Sequence, residues 1–291
     1  MDYFFGKEMS SDFVNKKLNF DAKNTIPKAG KNFVKYFDLK QKQCFICKSK
    51  NAKKDSKIFG VNYLICDKCS HAYVDKRLSE KALSKYYTSD TNYSSITYAN
   101  KKSIKLREEI IKPKIKFIKK YSKSKKWLDI GAADGASVVV CKKEGFITLG
   151  TELSKNSREF AKKNRKINLS SKTLDEFKQM PEKWNVISFF GVLEHIPDPM
   201  NALKTCHSLL EKNGIVAIDV PNYNSISTYV QKLTQNPNRH LIPHSHIMLF
   251  TLKSLEYALK KSGFKPVAVW LWGMDVIELL KYIDTLDGNF M

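Results

Sequence analysis

A chain of 291 residues, 42% of them apolar, has room for one large α/β domain and a small accessory module. No apolar run approaches the roughly 20 residues that a membrane-spanning helix needs, and the N-terminal stretch MDYFFGKEMSSD lacks the basic and apolar regions of a secretion signal. The sequence therefore predicts a soluble, cytoplasmic protein without a membrane span.

The formal net charge of +22 comes almost entirely from lysines that are scattered over every segment. The arginines are Arg77, Arg107, Arg158, Arg165 and Arg239. A phosphate-binding surface usually contains arginine, whose planar guanidinium matches phosphate geometry. The composition thus keeps a nucleic-acid partner open without favouring it.

The N-terminal segment, residues 1–42, is rich in Lys and Asn and has no clear hydrophobic period. Such a segment is typical of an arm outside the globular part of a protein.

Residues 43–75 contain four of the six cysteines. The stretches CFIC and CDKC place Cys44, Cys47, Cys66 and Cys69 in a C-x2-C-x18-C-x2-C array. Two such turns can supply the four thiolates of a tetrahedral zinc site, and four protein ligands make that zinc structural. The alternatives are four reduced core cysteines, or disulfides, which a cytoplasmic location disfavours. We therefore predict a zinc-ribbon-like module.

The next segment, residues 76–122, is predicted to be a helical linker. Ile104, Ile111, Ile115 and Ile118 recur at helix-compatible spacing among lysines. Pro113 lies inside this pattern and is expected to bend or restart the helix.

Residues 123–272 show short apolar runs that alternate with helical segments. The runs WLDI, FITLG, VISFF, IVAIDV and PVAVWLW predict strands, and helices are expected to begin near Ala136, Lys155, Asp198 and Leu252. This alternation predicts an α/β fold with a doubly wound, Rossmann-like parallel sheet. Residues 273–291 predict an amphipathic helix and a tail.

A glycine-containing loop follows the first of these strands. In WLDIGAADGAS, Asp129, Gly131, Ala133 and Gly135 precede a helix, and small residues let the backbone approach a ligand closely. The next strand ends at Glu152, where a carboxylate can accept hydrogen bonds from ribose hydroxyls. A glycine loop alone does not distinguish this site from a dinucleotide-binding fold.

These segments resemble the class I S-adenosylmethionine-dependent methyltransferases. DIGAADG is similar to their first motif, TELS to their acidic second motif, and WNVISFFGVLEHIPDP to the fourth-strand segment of the group that includes quinone and sugar methyltransferases. The resemblance covers residues 127–270 and implies S-adenosylmethionine as the cofactor, with a nicotinamide-binding fold as the alternative.

The resemblance also assigns roles to individual residues. The strand end and glycine loop would hold the methionine portion, Glu152 the ribose, and Leu174 or Asp175 of KTLDEF would flank the adenine. The implied cofactor-binding residues are Asp129, Gly131, Ala133, Gly135, Glu152, Leu174, Asp175 and Gly191.

Methyl transfer to a hydroxyl needs a base, and histidine is suited to this role at neutral pH. His195 follows the fourth strand in GVLEHIPDP, where an open α/β sheet binds its ligands. The segment HLIPHSH contains His240, His244 and His246. A metal site in that segment is disfavoured, because the four cysteines are the better zinc ligands and no carboxylate lies among the histidines.

The deoxysugar C-methyltransferases are similar in having a four-cysteine module before the same domain. Their His-Glu-His segment matches HLIPHSH, which implies His246 as the base and His244 as a neighbouring contact, with His240 in the loop. Ser245 replaces the glutamate of that family. Because serine cannot stabilise an imidazolium as a carboxylate does, oxygen is favoured over carbon as the acceptor atom.

We therefore predict a methyltransferase that acts on a sugar, a nucleotide sugar or a glycan end. The first alternative is an RNA methyltransferase with a zinc ribbon that contacts RNA. The second is a non-catalytic zinc-ribbon binding protein on a methyltransferase scaffold. The sequence predicts neither the acceptor's identity nor the oligomeric state.

Overall fold

The structure is a computed structural model that describes residues 1–5, 34–82, 84, 101–122, 124–234, 240–271 and 273. Its strands are β1 (Asp2–Phe5), β2 (Leu39–Lys40), β3 (Ala52–Ile58), β4 (Val61–Cys66), β5 (Ala72–Val74), β6 (Lys76–Arg77), β7 (Lys126–Ile130), β8 (Ile147–Thr151), β9 (Trp184–Phe190), β10 (Leu210–Asp219), β11 (Met248–Leu249) and β12 (Ala268–Leu271). Its helices are α1 (Lys101–Lys119), α2 (Ala136–Lys143), α3 (Lys155–Phe160), α4 (Pro199–Leu209), α5 (Ile226–Thr234) and α6 (Leu252–Lys261).

The chain divides into two compact units. Met1–Ser79 and Pro221–Met291 form one, called here the cysteine unit, and Glu80–Val220 form the other, called the glycine-loop unit. The segment after β10 thus clusters with the N-terminal cysteine segment. The predicted domain boundaries at residues 42, 75, 122 and 272 stay predictions.

The glycine-loop unit contains the predicted parallel sheet. Its strand order is β10-β9-β7-β8, and every neighbouring pair is parallel. The predicted helices after β7, β8 and β9 are all present. Beyond β8, the parallel pairing continues only as a single bridge between Thr151 and Ser170. The α/β fold class is therefore confirmed.

Helix α1 packs beside this sheet and is continuous through Pro113. The expected restart of the helix at this proline is therefore wrong, and the expected bend stays a prediction. Ile115 and Ile118, just beyond the proline, belong to a buried cluster with Trp127. The burial of these side chains offsets the backbone hydrogen bond that a proline removes.

The cysteine unit is built on an antiparallel sheet with the order β11-β5-β4-β3. A tight turn at Phe59 and Gly60, both with positive φ, joins β3 to β4. Strand β11 pairs with β5, so residues 248–249 complete a sheet begun by the cysteine segment.

Two further pairings differ from the sequence-based expectation. The predicted strand PVAVWLW is present as β12, but it pairs in parallel with β1 and not with the large parallel sheet. Strand β1 lies within the segment interpreted as an arm, and β6, at the start of the predicted helical linker, pairs with β2.

The helix and tail predicted for residues 273–291 lie outside the described residues, apart from Gly273. Over the described part of the chain, no helix has both the length and the apolar character to cross a membrane.

Candidate functional site

The glycine loop connects β7 to α2, and two of its residues need the backbone freedom of glycine. Gly131 and Gly135 have φ values of +69° and +80°. A Cβ atom on Gly135 would lie 2.2 Å from Cδ1 of Ile167, and one on Gly131 would lie 2.6 Å from Cγ2 of Val192. Internal packing and backbone conformation therefore both require glycine at these two positions.

Glu152 links the end of β8 to this loop. Its carboxylate accepts hydrogen bonds from the backbone N–H of Ala133 at 2.9 Å and from that of Ser154 at 2.8 Å. The side chain is buried, and burial raises its pKa above the ordinary value even though these backbone donors oppose the shift. A carboxylate has about four acceptor positions, so two backbone bonds leave capacity for ligand hydroxyls.

Asp129, in β7, is held by the protein itself. One oxygen accepts from the hydroxyl of Ser188 at 2.5 Å, and the other makes a short hydrogen bond with the Ser137 hydroxyl. Burial raises the pKa of Asp129 to about 6, because desolvation outweighs the two serine hydrogen bonds. Asp129 thus joins three elements of the loop framework, and its contact with a cofactor stays a prediction.

An ion-pair network that was not predicted from the sequence supports the same loop. Asp134 forms salt bridges with Arg107 at 3.0 Å and Arg165 at 2.5 Å, and Arg165 also bonds Glu108 at 2.7 Å. The scarcity of arginine in this lysine-rich chain was the available signal, because arginine is preferred where several carboxylates must be bound at once.

The residues proposed to flank the adenine lie at a short 3-10 turn, Asp175–Gln179. Leu174, which precedes it, is partly exposed. The Asp175 carboxylate forms an ion pair with Lys178 at 2.8 Å and accepts a hydrogen bond from Thr205 on α4 at 3.3 Å. The Lys178 contact, more than any other, lowers the pKa of Asp175.

The carboxyl ends of β9 and β10 meet at a second group of polar residues. The N–H of Gly191 donates to the carbonyl of Asp219 at 2.8 Å, and Lys114 forms an ion pair with Asp219 at 2.5 Å. Glu194 follows in a 3-10 turn, and its Oε1 lies 4.0 Å from Nε2 of His195. Burial, followed by the nearby charge of Asp219, raises the pKa of Glu194 to about 8. Glu194 is therefore largely protonated at neutral pH.

In the cysteine unit, helix α5 supports the histidine segment with its polar side chains. Nδ1 of His240 lies 3.4 Å from both the Ser227 and Thr228 hydroxyls. The Gln231 side-chain oxygen accepts from the N–H groups of His240 and Leu241 at 3.3 Å each. These three polar residues are almost fully buried, so α5 fixes where the segment begins.

His246 has a defined tautomer. Its Nδ1 lies 2.8 Å from the carbonyl oxygen of His240, and a carbonyl can only accept, so Nδ1 carries the proton. In the neutral ring Nε2 is then the acceptor nitrogen. His244 is different, because burial lowers its pKa to about 4 and keeps it neutral. His244 and His246 belong to the cysteine unit, whereas His195 belongs to the glycine-loop unit.

The four predicted metal ligands come together. The sulfur atoms of Cys44, Cys47, Cys66 and Cys69 all lie within 4.8 Å of one another. Cys44 and Cys69 are separated by 3.5 Å, and Cys47 and Cys66 by 3.4 Å, which is too long for a disulfide. Thiolates about 2.3 Å from one zinc ion would lie about 3.8 Å apart, so the cluster suits a tetrahedral S4 site.

The parallel sheet, the glycine loop and the acidic strand end together define a Rossmann-like cofactor-binding domain. A sequence profile of the family described as "Methyltransferase domain" matches residues 104–269, more than half of the chain. The chain belongs to this family. The class predicted from the sequence, an S-adenosylmethionine-dependent methyltransferase, is therefore confirmed at the level of the family.

The curated relatives include proteins named ubiquinone biosynthesis O-methyltransferase. The one from Histophilus somni (strain 2336) is 32% identical over 108 residues, which cover 34% of this chain and 45% of that protein. The one from Pasteurella multocida (strain Pm70) is 30% identical over 113 residues, covering 34% of this chain and 47% of that protein. The chain thus spans less than half the length of these relatives.

Two solved structures align with part of this chain. A SAM-dependent methyltransferase from Archaeoglobus fulgidus has a TM-score of 0.45 and 21% identity, and the alignment covers 54% of this chain and 69% of that chain. A magnesium protoporphyrin IX methyltransferase from Synechocystis PCC 6803 with bound SAH has a TM-score of 0.48 and 13% identity, covering 64% and 89%.

Proposed function

We propose that this protein transfers a methyl group from S-adenosylmethionine to a hydroxyl oxygen of a small acceptor, and that the acceptor is a sugar, a nucleotide sugar or a glycan end. The observation that carries the cofactor part is Glu152, whose buried carboxylate joins the strand end to the glycine loop and retains acceptor capacity for ribose hydroxyls.

The residues of the loop fit such a cofactor. Gly131 and Gly135 place no side chain where the backbone turns, and Glu152 is the proposed ribose ligand. When bound, the cofactor supplies an electrophilic methyl group on a sulfonium. The protein's own task is to orient the acceptor and to exclude water.

His246 is the proposed base. With its proton fixed on Nδ1, its Nε2 would have the lone pair needed to accept the proton of the acceptor's hydroxyl group. Ser245 stands where a carboxylate would stabilise the imidazolium, which argues for a hydroxyl and against a carbon acid. His244, with a pKa of about 4, is a weaker base and is proposed as an acceptor contact. His195 is the second candidate base.

A second acceptor class is favoured by the relatives' names. Proteins named ubiquinone biosynthesis O-methyltransferase match a third of this chain, which supports a hydroxyl on an aromatic ring as the alternative. Both classes share oxygen as the acceptor atom.

We also propose that Cys44, Cys47, Cys66 and Cys69 hold one structural zinc ion. Their sulfur separations support this, and a closed S4 shell leaves no position for a substrate. Metal analysis of the purified protein should find about one zinc per chain. Metal-free protein in which the thiols of these four cysteines are titratable would contradict the proposal.

The acceptor proposal is tested by incubating the protein with methyl-labelled S-adenosylmethionine and separate pools of nucleotide sugars, glycans, catechols and RNA. Label in the sugar or glycan pools supports the first class, and label in catechols supports the second. Label in RNA alone, or in no pool, contradicts both. His246→Ala should abolish transfer, and His207→Ala, at an exposed position on α4, is the matched control. Normal turnover of the His246 variant would move the base to His195.

A further inference from the structure

Helix α5 has an unusual distribution of side chains. Its inward positions are polar, because Ser227, Thr228 and Gln231 are 3%, 0% and 4% exposed. Its outward positions are apolar, because Ile226, Tyr229 and Leu233 are 57%, 58% and 65% exposed. These three lie at spacings of three and four residues and therefore form one stripe along the helix. The polar side is explained by the histidine segment, whereas the apolar stripe has no role in the proposed reaction.

Strand β3 lies against this helix and adds positive charge. Asp55, at a bulge in β3, accepts a hydrogen bond from the Tyr223 hydroxyl at 2.6 Å and forms an ion pair with Lys232 of α5 at 3.2 Å. The exposed lysines Lys53, Lys54 and Lys57 flank that aspartate. Because Lys232 already compensates Asp55, strand β3 carries net positive charge.

We propose that α5 and β3 form a docking surface for an anionic lipid bilayer. An apolar stripe with adjacent lysines is the combination by which an interfacial helix binds such membranes, since the apolar side chains enter the acyl boundary and the lysines meet the lipid phosphates. Tyr229 is suited to the interface because its ring is apolar and its hydroxyl is polar.

Other occupants fit the surface less well. A nucleic acid would use the lysines but would leave Ile226, Tyr229 and Leu233 in water. A second copy of the chain would need about 800 Å² on each partner for a stable interface, and three side chains of one short helix expose far less. The net charge of +22 attracts the whole protein toward an anionic surface.

Vesicle flotation tests the proposal with the full chain. The probes are vesicles of phosphatidylcholine alone and vesicles that contain about one third phosphatidylglycerol. The protein should bind only the anionic vesicles, and added salt should weaken the binding. The double variant Ile226→Ser/Leu233→Ser should bind at least about tenfold more weakly, and Lys53→Gln/Lys54→Gln should also lose affinity.

Ile147→Ser is the matched control, because Ile147 is 66% exposed and lies on β8, in the other unit. It should bind like the unaltered protein, and circular dichroism should show that all variants are folded. The proposal is overturned if the protein binds neither vesicle type or if the α5 double variant binds normally. It is equally overturned if the α5 substitutions change only self-association or RNA binding. Transfer to water-soluble acceptors is assayed without vesicles, so failure here leaves the proposed function standing.

Discussion

Replacing Glu152 separates its structural role from its proposed role in cofactor binding. In Glu152→Ala the backbone N–H of Ser154 loses its acceptor in a buried position, and that of Ala133 loses its acceptor in a part-buried one. An unpaired buried donor costs about 1–3 kcal/mol and a part-buried donor costs less, so the variant should lose at least about 1–3 kcal/mol of unfolding free energy. Glu152→Gln keeps one carbonyl oxygen, which can accept from one of the two donors, and should lose about half as much.

Cofactor affinity should fall in both variants. Hydrogen bonds to a charged group contribute about 1.5–3 kcal/mol, so losing the carboxylate should weaken S-adenosylmethionine binding about tenfold to a hundredfold. Urea denaturation measures the stability, and titration calorimetry at a temperature where the Gln variant is folded measures the affinity. Glu211→Ala, at an exposed position of β10, is the control. If Glu152→Ala were as stable as the unaltered protein and bound the cofactor equally well, the assigned role of this carboxylate would be wrong.

Three further predictions concern Gly135, Glu194 and the four clustered cysteines. Gly135→Ala should destabilise the protein by at least about 1–2 kcal/mol, because a side chain at φ +80° is strained and its Cβ collides with Ile167, and a thermal melt equal to that of the parent would count against this. Folding raises the pKa of Glu194 from its ordinary value of 4.5 to about 8, so the folded protein binds a proton that the unfolded chain releases, and this group's contribution should make the protein more stable as the pH falls from about 9 to 6. The denaturation midpoint of Glu194→Gln should therefore depend less steeply on pH than that of the unaltered protein. An identical pH dependence in the two proteins would rule out this contribution of Glu194. A strong chelator, or Cys69→Ser, should remove the metal and lower the melting temperature of the cysteine unit, whereas an unchanged melt after complete metal loss would exclude a structural role.

The local patterns predicted the framework well. Alternating strands and helices gave the parallel sheet, and the cysteine spacing gave the thiolate cluster, because both depend on short-range chain geometry. Pairing between distant segments was not predictable in this way. Strand β12 has the composition of a sheet strand, but its partner is β1, and nothing in either local sequence specifies which edge a strand will join.

The side chains that hold the candidate site residues in place were harder to predict than the glycine loop. No helix was predicted at α5. Its inward face is polar because it contacts His240, which lies outside the helix, so the sequence of the helix alone does not indicate this contact. The network of Asp134 with Arg107 and Arg165 similarly joins residues distant in the chain. Asp129 was identified as a cofactor residue, and its hydrogen bonds with the Ser137 and Ser188 hydroxyls add a structural role that the local sequence did not indicate.

The central proposal is methyl transfer to a hydroxyl oxygen, and the most direct test is the chemical form of the transferred methyl group. Mass spectrometry and carbon NMR of the product formed with ¹³C-methyl-labelled cofactor distinguish an O-methyl ether from a new carbon–carbon or carbon–nitrogen bond. We predict an O-methyl ether on a sugar or aromatic acceptor, formed by the unaltered protein and not by His246→Ala. A methyl group on carbon or nitrogen would contradict it.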